Sequence, residues 1–178
     1  MISIIGIDQG MNATGLAHLS FDDSGKATAV ATATHPLASQ RGRDAIRAFL
    51  ETAVAAGATL WTHEKRWNGA TAGRSQAVGA RIGAGQGEAV GMLKEMAFLT
   101  GALTILSPIP PARAKRALTG NGRATKPGVM AFARTRYGVT GTEHEADAVA
   151  VAVAAYNDWD WARRVKAAGY EDKSRRVP

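Results

Sequence analysis

Residues 141–156 read GTEHEADAVAVAVAAY, a packet of acids and one histidine set ahead of a run of alanine and valine. Two backbone readings compete. As a strand, the alternation AVAVAVA would turn successive side chains to opposite faces and put His144 and Asp147 on different sides. As a helix, Thr142 and Glu145 form the T-x-x-E pattern: the hydroxyl caps the third amide and the glutamate reaches back to the Thr142 amide. The alanine content and the cap favour the helix. His144 and Asp147 then lie three residues apart on one face, within the first turns. Val149, Ala150, Val153 and Ala154 continue as apolar surface, so the helix is expected to be largely buried, with its polar N-terminal face looking into a cleft. Glu145 has a structural task and Glu143 is expected to be solvated. The pair His144 and Asp147 is left over.

The rest of the chain supplies partners for that helix. Residues 2–8 form a β-branched run ending in an aspartate, and Thr14–Phe21 and ATAVATAT (27–34) are two strand-like runs around the turn DDSGK. These three would make an antiparallel meander. From Ser39 to Ala56, Ile46, Phe49, Leu50 and Val54 recur at helical spacing and Gly57 closes the segment. ATLWTHE (58–64) reads as a fourth strand ending in an acid, and ALTILSP (102–108) as a fifth. PPARAKRALTG and PGVMAFARTRYG carry proline at the start and glycine at the end, as helices do. The pattern is α/β: a mixed five-stranded sheet with an antiparallel three-strand meander, flanked by helices. The expected organisation is one domain over residues 1–158, followed by a basic tail over 159–178.

Of 178 residues, 46% are hydrophobic, which is ordinary for a globular chain, and no apolar run nears the ~18–20 residues of a membrane span. The chain therefore reads as soluble and cytoplasmic, with no membrane partner. Its N-terminus passes straight into a strand, which argues against a signal peptide. The absence of cysteine excludes disulfides and thiolate metal sites. A formal charge of +7 points to an acidic partner, and nucleic acid is the commonest one.

Asp8 stands where the first strand ends and Glu64 where the fourth ends. Each alone could be a turn residue or a solvated loop acid. Together with His144 and Asp147 they match what a divalent-metal phosphodiesterase needs: ligands from separate elements converging on two ions about 3.5–4 Å apart. No phosphate-loop motif competes, because no strand leads directly into GAGQG (83–87).

IIGIDQGMNATGLA, THEKRW, ARAKRALTGNGRATK and HEADAVAVAVA, in this order, resemble the RuvC family of Holliday-junction resolvases over nearly the whole chain. The resemblance implies a ribonuclease-H-like fold and a homodimeric, Mg2+-dependent endonuclease acting on four-way junction DNA. It implies two Mg2+ ions per active site, with Mn2+ able to substitute, held by Asp8, Glu64, His144 and Asp147. It places a base-stacking aromatic at Trp67, whose alternative is a partly buried core tryptophan. The family's two lysines fall on Lys115 and Lys126, the latter a catalytic candidate that could steady transition-state charge. Arg113, Arg116 and Arg123 would extend the DNA surface, or simply be solvated. The Gly/Ala-rich segment around Gly83–Gly91 would supply the dimer helix, and branch-migration proteins would be further partners.

Two positions depart from the family pattern. Gln9 stands where proline is frequent, and His144 where many members carry a carboxylate; an imidazole shifts the preference toward Mn2+. Three rival readings remain at this level. They are a nuclease of the same fold acting on other branched DNA or RNA, an actin-like kinase, and a junction-binding protein with weakened catalysis.

Overall fold

β1 (Ile2–Gln9) is buried from Ser3 onward, and the sheet grows from it in both directions. Its neighbours are β2 (Ala13–Phe21) on one side and β4 (Leu60–His63) on the other; β3 (Ala27–Pro36) and β5 (Thr104–Ile105) complete the order β3-β2-β1-β4-β5. β1, β2 and β3 form the expected antiparallel meander. β4 runs parallel to β1, with Ile4 opposite Leu60 and Ile7 opposite His63. β5 pairs with β4 over two residues, shorter than the seven-residue run expected, and a further bridge joins Glu64 to Ile109. The computed structural model describes residues 1–10, 12–36, 39–65, scattered positions between 87 and 99, and 104–170. Trp67 and most of the segment Gly83–Gly91 lie outside the described residues.

The register of β1 and β4 has a direct chemical consequence. Two parallel strands with Ile7 opposite His63 must deliver their next residues, Asp8 and Glu64, side by side at one end of the sheet.

Alternation along β1 divides the core in two. Ile5, Ile7, Leu16 and Trp61 face α1 (Gln40–Ala55), which meets them with Ile46, Leu50 and Ala53. Ile4, Ala17, Leu19 and Phe21 face α2 (Pro111–Thr119), α3 (Lys126–Tyr137) and α4 (Glu143–Ala167). The segment 141–156 is thus a helix start, and both halves of the Thr142–Glu145 capping box are formed. α4 runs on through the boundary expected at residues 158 and 159 and ends only at Ala167, so the first part of the supposed tail is regular helix.

The Ala/Val alternation makes sense once α4 is seated. Every residue from Ala148 to Tyr156 is buried, because the helix is enclosed by the sheet on one side and by α2 and α3 on the other. Small side chains let it lie very close to β1 and β2. A β-carbon on Gly6 would stand 2.6 Å from the Ala152 amide nitrogen and nearer still to the Ala148 carbonyl oxygen. One on Gly15 would overlap the backbone carbonyl of His144. Two further contacts fix the helix along its axis. Tyr156 stacks on Phe21 with ring centroids 4.1 Å apart. At the other end Glu145 accepts hydrogen bonds from the hydroxyls of Thr32 at 2.5 Å and Thr34 at 3.2 Å, both on β3.

Gly6→Ala is accordingly expected to lower stability by about 1–3 kcal/mol, as overpacking in a tight core does. Urea unfolding checks this, and an unchanged midpoint would contradict the close approach.

Candidate active site

The carboxyl ends of β1 and β4 and the first two turns of α4 meet at one point. Asp8 is buried, and its Oδ2 accepts a hydrogen bond from His144 Nδ1 at 2.7 Å. The bond fixes the ring, and the carboxylate oxygen can only accept, so Nδ1 carries the proton. Glu64 hydrogen-bonds to the same aspartate from the other side and feels the charge of Asp147. Asp147, one turn along α4 from His144, feels the charges of Asp8, Lys115 and Lys126. Lys115 comes from the middle of α2 and Lys126 from the first turn of α3. Six of the residues singled out in the sequence therefore converge: Asp8, Glu64, His144, Asp147, Lys115 and Lys126.

Their electrostatics follow from crowding. Burial, then the Asp8 charge, pushes the Glu64 carboxyl up to about 8. Burial and Asp8 likewise raise Asp147 to about 6, against the pull of Lys115 and Lys126. His144 is raised by its hydrogen bond to Asp8, which outweighs desolvation. The fold has gathered more acid than the site can ionise unaided, and near neutral pH Glu64 keeps its proton.

Three carboxylates and one imidazole are a hard, oxygen-rich donor set suited to Mg2+ or Mn2+. The suppressed ionisation marks a place where a cation's charge would be welcome. Among the described residues, no three such side chains already stand as a finished cage. The acids instead share protons with one another and with His144. The chemistry of the donors fits a divalent ion.

Arg113 is not drawn into this group. It pairs with Asp158, fourteen residues beyond His144 on α4, which is about 21 Å along the helix axis. Arg116 and Arg123 are exposed, and the Arg123 amide closes a turn onto the Asn121 side chain at 2.9 Å. The sequence reading missed Glu143. Expected to be solvated, it accepts a hydrogen bond from Lys126 at 2.8 Å.

The order β3-β2-β1-β4-β5, with three antiparallel strands first and acids at the ends of β1 and β4, is a ribonuclease-H-like fold. Among solved structures, the chain resembles Thermus thermophilus RuvC at 21% identity and a TM-score of 0.61, covering 90% of this chain and 97% of that one. Against T. thermophilus RuvC in complex with Holliday junction substrate the identity is 22% and the TM-score 0.67, with the same coverage of 90% and 97%. The yeast mitochondrial Holliday junction resolvase Ydc2 matches at 12% identity and a TM-score of 0.54, over 92% of this chain and 80% of that one. No family model and no curated sequence matches the chain. At these identities the likeness is one of fold.

The raised Glu64 carboxyl has a consequence for stability. Its folded value of about 8 lies above the ordinary 4.5, so between those values the folded state holds a proton that the unfolded state has released. The contribution of Glu64 to stability is then fully present below about pH 4.5 and is lost as pH rises toward 8. In the absence of divalent cations, Glu64→Gln should lie within about 1 kcal/mol of the wild-type chain near pH 5 and exceed it at pH 9 by on the order of 4 kcal/mol. Chemical denaturation at the two pH values checks this; equal stabilities at pH 9 would contradict the half-buried, acid-facing placement of Glu64.

Proposed function

We propose that this chain is a structure-specific endonuclease that resolves four-way DNA junctions by paired, divalent-metal-dependent nicks in symmetrically related strands. The observation that carries this reading is the convergence of Asp8, Glu64, His144 and Asp147 where β1, β4 and α4 meet. It is supported by a fold shared with Holliday junction resolvases, one of them solved with its junction substrate.

Asp8, Glu64 and Asp147 would hold two Mg2+ ions, with Mn2+ able to replace them, and His144 would either join them as a ligand or orient the attacking water. Bound cations would supply Lewis acidity toward the scissile phosphate and lower the pKa of a water molecule. The chain's own part begins with Glu64, which must surrender its proton as the acids turn to a cation, so loading is favoured by rising pH. Asp8, already in contact with both Glu64 and His144, is the hub that keeps the acids in one place. Lys115 and Lys126 bring ammonium groups to the edge of the cluster, where they would offset charge developing on the phosphate.

Arg116, Arg123 and Trp67 would belong to the DNA-facing surface, with Trp67 stacking on a base. Arg113 would extend the same surface from α2, exchanging its exposed ion pair with Asp158 for a phosphate. Symmetrical nicking of a four-way junction calls for two copies of the site, and hence for a homodimer. Branch-migration proteins would be natural partners in a cytoplasmic setting.

The decisive measurement is cleavage of a mobile synthetic four-way junction by the purified chain in Mg2+ and in Mn2+, with the products mapped. Symmetrically placed nicks are expected in both metals, and Asp8→Asn should abolish them while junction binding persists. Cleavage retained by Asp8→Asn would overturn the assignment, and cuts on other branched substrates without symmetrical pairs on the junction would favour a different nuclease of this fold.

A further inference from the structure

The first helical residues of α3 and α4 join hands at the rim of the acid cluster. Lys126 Nζ donates to Glu143 Oε1 at 2.8 Å, and the two side chains are 64% and 40% exposed. The partners differ in how well they suit their positions. Glu143 lies at the N-terminus of α4, where the helix dipole favours a carboxylate. Lys126 lies at the N-terminus of α3, where the same dipole disfavours an ammonium. An exposed ion pair of this kind holds weakly and exchanges readily with other ions. The ammonium is exposed, yet it also feels the charges of Asp147 and Asp8, so it lies within electrostatic reach of the cluster. A phosphodiester entering there would meet a cation and an anion bound to each other, and its own charge matches only one of them.

We propose that Glu143 is a resident counter-ion for Lys126, which a backbone phosphate of the substrate displaces on binding. The proposal rests on the nuclease reading given above and names a residue that sets how strongly the site engages DNA. Before binding, Glu143 holds the lysine beside Asp8 and Asp147. On binding, the ammonium exchanges one oxygen acceptor for another, with no covalent change. The released carboxylate stays at the N-terminus of α4, where the dipole and water accommodate it. Glu143 thus weakens the grip of Lys126 on any phosphate, and that effect exists only while Lys126 is present.

The test is equilibrium binding of a synthetic four-way junction over a range of salt concentrations, without divalent cations so that no strand is cut. Wild type, Glu143→Gln, Lys126→Gln and the double variant are compared. Glu143→Gln should bind about 3–10-fold tighter than wild type, with a plot of log K against log salt steeper by about one counter-ion. In the Lys126→Gln background, Glu143→Gln should change neither quantity. Equal tightening in both backgrounds would overturn the proposal in favour of a diffuse charge effect, and so would an unchanged Glu143→Gln variant. Melting temperatures verify that all four proteins are folded; a merely structural ion pair would shift the melting and leave the salt slope alone. Failure of the wild-type chain to bind the junction at all would overturn the nuclease reading and this proposal with it, whereas firm binding without coupling would overturn the proposal alone.

Discussion

α4 lies against β1 and β2 at a distance that only glycine permits on the strands, and the candidate site depends on that approach. Gly6 accommodates the backbone at Ala148 and Ala152, and Gly15 accommodates the backbone at His144. The second of these contacts sets His144 down beside Asp8, which pairs with Gly15 across the β1–β2 ladder. Packing and chemistry are therefore the same constraint seen twice. Moving the helix outward by the width of a methyl group would loosen the core and separate the imidazole from its carboxylate.

The hydrophobic surface buried around α4 has to outweigh something unfavourable at the helix start. Asp8, buried, and Glu64 and Asp147, half-buried, are held at close quarters, and the raised carboxyls of Glu64 and Asp147 record that strain in electrostatic form. The capping box, the bonds from Thr32 and Thr34 to Glu145, and the Phe21–Tyr156 stack all fix α4 at points away from the acids. A helix anchored in this way can present groups that repel one another without being pushed off the sheet.

Much of this was legible in the sequence, for identifiable reasons. The meander, α1, α2, α3 and the start of α4 are bounded by residues with one strong local preference: Ser39, Thr125 and Thr142 as caps, Gly120 and Gly138 in left-handed conformations at helix ends. Asp8, Glu64, His144 and Asp147 were visible because each carries a polar group where the apolar pattern stops. What could not be read depends on long-range register. That Arg113 pairs with Asp158, forty-five residues away, has no local signal. Glu143 is solvated as read, but nothing local shows that the first turn of α3 comes to meet the first turn of α4 and brings Lys126 to it. The extension of α4 past residue 158 was hidden for another reason: the mixed stretch WDWARRVKAA lacks a stop signal, and its acid Asp160 binds Arg163 and Arg164 along the helix itself.

The in-register parallel pairing of β1 with β4 also bears on when the site comes into being during synthesis. The meander and α1 are complete once residue 55 has been made, yet at that stage Asp8 has neither Glu64 beside it nor His144 above it. The acid cluster closes only when a helix beginning at residue 143 is laid across strands made more than a hundred residues earlier. A nascent or truncated chain can thus own a well-formed sheet and still have no assembled centre. Every copy that stops short of α4 therefore carries Asp8 and Glu64 without His144 and Asp147.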